Sequence, residues 1–174
     1  NVYYMSEIYK RQPYANAAQV WNRVEYRPLE GFVYALTPFN FTSISGNLPA
    51  APAVMGNTVV WKPASSAVLS NYYVMKLLQE AGLPDGVINF IPGDGAQIGP
   101  TVFNDPRFAG LHFTGSTATF RSIWLEVAEN LNKGVYKSYP RMVGETGGKD
   151  FIFAHPNCNV RALAVALFRG AFEY

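Results

Sequence analysis

The chain has 174 residues, of which 49% are hydrophobic and 15% charged, a composition typical of a globular domain and unlike that of a disordered segment. A net charge of +2, from 14 basic and 12 acidic residues, gives no reason to expect nucleic acid or an anionic membrane as a partner. The single cysteine, Cys158, excludes an internal disulfide framework and favours a reducing compartment.

No stretch approaches the roughly 18 apolar residues that span a bilayer, and the first residues lack the basic and apolar regions of a signal peptide. We therefore expect no membrane span, and a cytoplasmic location, or the mitochondrial matrix if the source is eukaryotic. The chain lacks an initial methionine and stops within an amphipathic pattern at Tyr174. Both observations indicate a piece of a longer protein.

Short apolar runs alternate with helical patterns along most of the chain. Residues 1–28 are aromatic, polar and weakly periodic, which predicts the tail of a helix followed by an irregular arm. Runs rich in strand-forming residues then predict strands at 32–36, 58–61, 87–91, 110–113 and 151–154. Helices are expected at 43–55, 66–81, 96–103, 117–131 and from 160 to the end.

Several details of these helices can be predicted. Pro49 and Pro52 should disturb the helix at 43–55, and Gly82 should end the helix at 66–81. The apolar spacing predicts that one face of the helix at 66–81 is formed by Leu69, Tyr73, Leu77 and Leu78. It likewise predicts an apolar face on the helix at 117–131, formed by Phe120, Ile123, Trp124, Val127 and Leu131.

The alternation predicts an α/β fold with a parallel sheet, since strands separated by helices form βαβ units. Open sheets of this kind bind ligands beyond the carboxyl ends of their strands. The loops of interest therefore follow Leu36, Trp61, Ile91, Phe113 and Ala154.

The segment 114–117 (Thr-Gly-Ser-Thr) leads from the fourth strand into a helix and has two interpretations. Free backbone N–H groups at the helix N-terminus form an anion site, which Gly115 would open to a phosphate and Ser116 would supply with a hydroxyl. Alternatively, Ser116 or Thr117 is only a helix N-cap, which is the commoner use of these residues.

Three other polar residues follow strands or lie among glycines. Lys62 is either a donor to ribose hydroxyls or a solvated surface lysine. Asn40, expected to be buried between two aromatic residues, is either an oxyanion donor or part of a turn. Glu145 is either a general base or a loop residue paired with Lys149 in solvent.

The remaining candidates have structural interpretations. The segment 93–99 departs from the dinucleotide fingerprint by one residue in its spacing, and is expected to be a tight turn with close helix–strand packing. His112 is expected to be a hydrogen-bonded strand residue. Cys158 is expected to be structural or incidental, and neither it nor His155 forms a metal-ligand pattern.

Together, the segments 37–41, 62–63, 113–117 and 145–149 resemble the aldehyde dehydrogenase superfamily, and the resemblance covers nearly the whole chain from about Leu29 onward. Within it, the segments 26–33, 38–42, 140–141 and 171–174 are most similar to the Δ1-pyrroline-5-carboxylate (L-glutamate γ-semialdehyde) dehydrogenases. The resemblance implies a Rossmann-like open parallel sheet with helices on both faces, spanning residues 29–174 and incomplete before the catalytic cysteine.

The resemblance also implies roles for individual residues. It assigns the oxyanion amide to Asn40, the general base to Glu145 and a substrate contact to Phe41. It implies NAD as cofactor, with NADP not excluded. Ser65 stands where the family usually has an acidic residue that holds the ribose, which leaves the choice of nucleotide less settled. The implied cofactor contacts are Thr37, Pro38, Phe39, Lys62, Ser65, Gly95, Gly115, Ser116 and Gly147.

By the same resemblance, the complete protein takes a small-molecule aldehyde, converts the semialdehyde to glutamate in proline catabolism and forms a homo-oligomer. The catalytic cysteine of the family would lie beyond Tyr174, so we expect this polypeptide alone to be inactive. Two alternatives remain open, namely another aldehyde substrate within the superfamily and a nucleotide-binding module without chemistry of its own.

Overall fold

The computed structural model describes residues 1–13 and 18–173, so the predictions for 14–17 and for Tyr174 lie outside the described residues. The chain opens with helix α1, the described residues 18–31 form neither helix nor strand, and strands then alternate with helices. The elements are α1 (Val2–Lys10), β1 (Phe32–Leu36), α2 (Thr42–Val54), β2 (Thr58–Lys62), a 3-10 turn (Ser65–Ala67), α3 (Val68–Glu80), β3 (Ile88–Phe90), α4 (Gly95–Phe103), β4 (Phe108–Gly115), α5 (Thr117–Asn132), β5 (Arg141–Thr146) and α6 (Val160–Phe172).

The strands form one parallel sheet in the order β3-β2-β1-β4-β5, which confirms the predicted fold class. Strand β1 lies at the centre and pairs with β2 on one side and β4 on the other. The register places Leu36 beside both Lys62 and Phe113, so β1 and β2 end at the same level and β4 continues beyond it to Gly115. The strand order reverses between β1 and β4, which is where sheets of this type have a crevice at their carboxyl edge.

Helices cover both faces of the sheet because successive side chains of a buried strand point to opposite faces. On one face, Tyr34 and Leu111 pack with side chains of α4 and α5, including Phe103 and Ile123. On the other face, a second cluster joins the sheet to α2 and α3 through Val33, Ala35, Leu48, Val59, Trp61 and Ile88.

The predicted strand at 151–154 is wrong, and the fifth strand is β5. Residues Arg141–Thr146 pair along β4 from Gly110 to Gly115, although their sequence is only weakly apolar. Gly144 permits this arrangement because a Cβ there would collide with the ring of Phe120 on α5. Phe151 and Phe153 are 85% and 90% exposed, and nothing in the described part of the chain pairs with them as a strand.

The predicted face of α3 is not the buried one. Leu69, Tyr73 and Leu77 are exposed, whereas Leu78 packs into the core together with Val74 and Met75. The apolar residues of α3 are distributed around most of its circumference, so their periodicity alone did not identify the side that packs on the core. Gly82 follows α3 with φ of +96°, as predicted for a helix end.

Helices α2 and α5 also differ in part from expectation. Pro49 and Pro52 lie inside α2 without ending it. On α5, Ile123 and Val127 are buried as predicted and Phe120 packs at the edge of the core, whereas Trp124 and Leu131 are exposed. In the parts of the chain that the structure describes, no helix combines the length and apolar character needed to cross a membrane.

His112 joins β4 to α2, as expected for a hydrogen-bonded strand histidine. Its Nδ1 lies 2.9 Å from the carbonyl oxygen of Leu48, and this oxygen can only accept, so Nδ1 carries the proton. Burial lowers the pKa of the ring from its ordinary 6.5, and the bond to Leu48 opposes that shift. The neutral imidazole is therefore the form that the fold favours.

We expect Gly31→Ala to lower the free energy of unfolding by about 3 kcal/mol, because Gly31 adopts φ of +134° and a Cβ there would overlap the backbone oxygen of Arg107. Urea denaturation measures the change. Gly170→Ala in α6 is the control, since no atom lies within 4 Å of the position that the new methyl group would take, and alanine favours helix. Equal losses in both variants would contradict this explanation.

We expect the free energy of unfolding to fall as the pH drops below 6.5, because the unfolded chain then binds a proton that folded His112, with its lowered pKa, resists. His112→Gln removes this titration and should flatten the pH dependence just below pH 6.5. Denaturation at several pH values measures it. An unchanged slope in His112→Gln would refute the assignment.

Candidate functional site

Two adjoining cavities open at the carboxyl edge of the sheet, where the strand order predicts a crevice. The first cavity has a volume of about 640 Å³, and the second, between α4 and α5, has about 400 Å³. Four residues, Thr37, Phe113, Thr114 and Thr119, line both cavities. The two cavities are therefore immediate neighbours, separated by no more than these shared residues.

The cavities bring together most of the residues that the sequence singled out. Of those, the first cavity is lined by Thr37, Pro38, Phe39, Asn40, Gly115, Ser116, Glu145 and Gly147, and the second by Thr37, Lys62 and Gly95. Ser65 and Phe41 line neither cavity. Ser65 is exposed at the start of the 3-10 turn, and Phe41 is the N-cap residue of α2.

The N-terminus of α5 forms one wall of the first cavity. Ser116 is the N-cap, and its Oγ accepts the Thr119 N–H at 3.1 Å and lies 2.7 Å from the Thr119 hydroxyl. The N-cap interpretation is thus confirmed. The N–H groups of Thr117 and Ala118 precede the first intrahelical bond, from the Phe120 N–H to the Ser116 oxygen, and have no acceptor among the described residues. The cap and an anion site are compatible.

Glycine is required at two positions beside this helix end. A Cβ at Gly115 would lie 2.7 Å from Cζ of Phe113, closer than side-chain packing permits. Gly147 adopts φ of +53°, and its Cβ would lie 3.2 Å from Oγ1 of Thr117. Backbone rather than side chain therefore borders the cavity at both positions.

Lys62 is not a solvated surface lysine, because only 7% of its surface is exposed. Its Nζ donates to the carbonyl oxygen of Pro63 at 3.0 Å. Burial lowers the pKa of the ammonium group, and the negative charge of Asp94 partly opposes this effect. A Cβ at Gly95 would lie 3.5 Å from Cε of Lys62, so the start of α4 packs directly on the lysine stem. The lysine therefore presents a held donor to the second cavity.

The loop after β1 is held in place from two sides. The Trp61 indole N–H donates to the Thr37 hydroxyl at 3.0 Å, and both side chains are buried. The hydroxyl of Ser45 on α2 donates to the carbonyl oxygen of Pro38 at 2.8 Å. These bonds fix the point at which the chain leaves the sheet and turns toward Asn40.

The expectation that Asn40 is buried is wrong, since the structure places it at the exposed tip of the turn between β1 and α2. Phe39 before it is 71% exposed, and Phe41 after it is 40% exposed. The chain reverses direction here between a strand and a helix, so these side chains leave the core. Asn40 still borders the first cavity.

Glu145 lies on β5 rather than in a glycine-rich loop, and its side chain is exposed. Its Oε2 accepts the Thr114 hydroxyl at 3.3 Å. The predicted pairing with Lys149 is wrong, because the lysine ammonium instead donates to the carbonyl oxygens of Gly147 and Gly148. Glu145 on β5 therefore lines the same cavity as Asn40, which follows β1, and β4 lies between these two strands.

Some lining residues had no sequence signal. Thr119 lies one turn inside α5, and Tyr34, Phe103 and Glu126 contribute to the second cavity from β1, α4 and α5. Thr114, which precedes Gly115, lies within the loop that the sequence predicted. The other four residues line the cavities only because α4 and α5 pack against the sheet, which the local sequence does not indicate.

The lining provides binding groups but no sulfur nucleophile. Cys158, the only cysteine of the sequence, is a free thiol in the turn before α6 and lines neither cavity. In the described ranges, no cluster of histidine, cysteine and carboxylate side chains could hold a metal ion. The arrangement suits an extended ligand with an anionic centre at the α5 N-terminus.

Relatives of known name match the chain over nearly its full length. The probable delta-1-pyrroline-5-carboxylate dehydrogenase of Schizosaccharomyces pombe is 56% identical over 174 residues, which is 100% of this chain and 32% of the relative. The mitochondrial delta-1-pyrroline-5-carboxylate dehydrogenase of Dictyostelium discoideum is 59% identical over all of this chain and 31% of its own length. The chain thus spans about a third of the length of the curated relatives it matches.

Solved structures show the same fold. The Mycobacterium tuberculosis delta-pyrroline-5-carboxylate dehydrogenase bound with NAD has a TM-score of 0.85 and 57% identity, covering 97% of this chain and 31% of that one. The 1-pyrroline-5-carboxylate dehydrogenase from Thermus with bound NAD has a TM-score of 0.67 and 30% identity, covering 85% and 29%. Residues 2–174 match the aldehyde dehydrogenase family. The chain therefore belongs to the aldehyde dehydrogenase family.

Proposed function

We propose that this chain is the NAD-binding part of a dehydrogenase that oxidises L-glutamate γ-semialdehyde, the open form of Δ1-pyrroline-5-carboxylate, to glutamate. The observation that carries the proposal is the pair of neighbouring cavities at the β1–β4 crevice, with the α5 N-terminus in the wall of the first. Support also comes from relatives of that name, some of them solved with NAD. Residues 29–174 would form the cofactor-binding domain and 1–28 an arm.

The residues present fit a dinucleotide. The second cavity, with an apolar lining and the held donor of Lys62, has the character of a pocket for adenosine. The N–H groups of Thr117 and Ala118 at the start of α5 suit the pyrophosphate, which Gly115 allows to approach. The first cavity then receives the nicotinamide end, beside Gly147. The bound cofactor would accept the hydride of the aldehyde.

The chain's own residues supply three further functions around the reacting carbon. Asn40 donates its amide N–H to the oxygen that becomes negative when the aldehyde is attacked. Glu145 accepts a proton from the water that releases the product, with the Thr114 hydroxyl orienting the carboxylate. Phe41 packs on the substrate. The nucleophile would come from a part of the protein outside this chain, since Cys158 lies away from both cavities.

We also propose that the complete protein is a homo-oligomer. We place it in the cytoplasm, or in the mitochondrial matrix if the source is eukaryotic, and the matrix is supported by several eukaryotic relatives that are named mitochondrial. The apolar face of α3, where Leu69, Tyr73 and Leu77 are exposed, is the kind of surface that further protein covers.

We expect Ser116→Asp to preserve folding and to weaken NAD⁺ binding by more than about tenfold, because aspartate caps a helix well but places a carboxylate where phosphate binds. Calorimetric titration of NAD⁺ and NADP⁺, with thermal melting alongside, measures both effects. Asn159→Asp is the matched control, since Asn159 caps α6 in the same way away from the cavities. Equal affinity in both variants would argue against a phosphate site at α5.

We expect Asn40→Ala in the full-length protein to lower kcat for L-glutamate γ-semialdehyde by about 10²-fold, the usual effect of removing an oxyanion donor. The dissociation constant of NAD⁺ should change by less than about twofold, because the amide acts on the aldehyde oxygen. Steady-state kinetics and calorimetry separate the two. A variant with wild-type kcat would contradict the role of Asn40.

We expect the 174-residue polypeptide by itself not to oxidise the semialdehyde, because its only thiol lies outside the cavities. Assay of the polypeptide beside the full-length protein tests this expectation. Turnover by the polypeptide alone would disprove it. A full-length protein that prefers another aldehyde would favour the alternative substrate, and one that binds NAD⁺ without oxidising any aldehyde would favour a non-catalytic module.

A further inference from the structure

The hydroxyl of Thr37 is held by a partner that can only donate. The Trp61 indole nitrogen lies 3.0 Å from Oγ1 of Thr37, and an indole N–H has no acceptor capacity. The hydroxyl must therefore accept at this contact, which leaves its own proton for another acceptor. Trp61 is fully buried and Thr37 is 5% exposed, so water competes little for either group.

The position of Thr37 is fixed by more than this bond. Its backbone N–H donates to the carbonyl oxygen of Lys62 at 3.3 Å, which extends the pairing of β1 with β2 by one residue. Its β-branched side chain has few allowed rotamers. The indole ring is itself fixed by edge contact with Phe90 at 5.0 Å between ring centroids. The direction of the hydroxyl is thus set before any ligand arrives.

Three threonines line both cavities, and the hydroxyl of Thr37 differs from the other two in its hydrogen bonds. The Thr114 hydroxyl donates to Glu145, and the hydroxyls of Thr119 and Ser116 are hydrogen-bonded to each other, with either one as the donor. In the described residues, no acceptor is found for the hydroxyl proton of Thr37. The Thr37 hydroxyl is therefore a donor, on a residue that lines both cavities, for which the described residues supply no acceptor.

We propose that Trp61 is a positioning residue for the nucleotide site, which holds the Thr37 hydroxyl so that its proton is donated to the ligand at the junction of the two cavities. The inference rests on the proposed function, because it takes the ligand to be a dinucleotide that crosses this junction. Phosphate and ribose oxygens, which form the middle of such a ligand, are acceptors that a hydroxyl can serve. Trp61 itself touches no ligand, since it lines neither cavity.

Calorimetric titration of NAD⁺ into the full-length protein tests the proposal. We expect Thr37→Val to weaken binding about tenfold, the loss of one hydrogen bond to a charged or strongly polar acceptor. Thr37→Ser keeps the hydroxyl and should bind within about threefold of wild type. Trp61→Phe keeps a ring in the core and should weaken binding about threefold, because the hydroxyl is no longer oriented.

The double variant separates positioning from general damage to the fold. If Trp61 acts through Thr37, then Trp61→Phe has no further effect on NAD⁺ affinity once Thr37 is valine, and the double variant binds about tenfold weaker than wild type. Independent effects would instead multiply to about thirtyfold. Trp124→Phe makes the same change at an exposed tryptophan of α5 that lines neither cavity, and should bind as wild type does.

A spectroscopic measurement supports the binding data without ligand. The resonance Raman signal of the indole N–H should shift in Thr37→Val and remain in place in Thr37→Ser, because only valine lacks the acceptor. An unchanged signal in Thr37→Val would contradict the hydrogen bond on which the proposal rests. Should Thr37→Val fail to fold, folded Trp61→Phe with wild-type affinity would overturn the proposal by itself. The proposal would also be overturned if the double variant bound NAD⁺ about thirtyfold weaker than wild type, as independent effects predict. A wild-type protein that does not bind NAD⁺ would overturn the proposed function along with it.

Discussion

The pairing of β1 with β2 and β4 is the interaction on which the rest of the molecule depends. Because β1 is central and both partners run parallel to it, Leu36, Lys62 and Phe113 lie side by side at one level near the carboxyl edge of the sheet. Connections leave this level toward opposite faces, α2 after β1 and α5 after β4. The space between them is not filled by the chain, and both cavities lie there. A ligand site at this edge follows from the topology rather than from any single residue.

The cavities combine groups that are restrained in different ways. Backbone at Gly115 and Gly147 is bare because side chains do not fit, and the cap at Ser116 keeps the start of α5 regular. Lys62 and Thr37 are held by partners within the sheet and its loops, so their donors need little reorganisation on binding. Asn40 and Glu145, in contrast, stand at the open rim. This division suits a rigid cofactor site beside a reaction site that other parts of a longer protein complete.

The distribution of exposed apolar side chains agrees with the length of the relatives. One side of α3, the segment with Phe151 and Phe153, and most of α6 leave large hydrophobic groups in solvent. Soluble monomers rarely expose apolar surface on this scale. The curated relatives are about three times as long as this chain, so they contain additional protein that could bury such surfaces.

The amino-acid sequence by itself determined the elements from β1 to α5 and the loops that carry the site. Apolar runs between Gly, Pro and polar residues are local signals, and each strand or helix of this region produces its own. The motif around Gly115 and Ser116 was likewise visible, because a strand end followed by a helix cap is encoded by adjacent residues. The same holds for the order of motifs that revealed the family resemblance.

Tertiary structure alone decided features that depend on residues distant in the chain. Strand β5 forms in a weakly apolar segment because β4 offers it a partner, whereas the more apolar segment at 151–154 has none among the described residues. The covered side of α3, the burial of Lys62 and the exposure of Asn40 depend on what packs nearby. The bond from Trp61 to Thr37 joins residues 24 positions apart, and only pairing of β1 with β2 brings them together. Local pattern specifies an element, but contact with other elements specifies its surroundings.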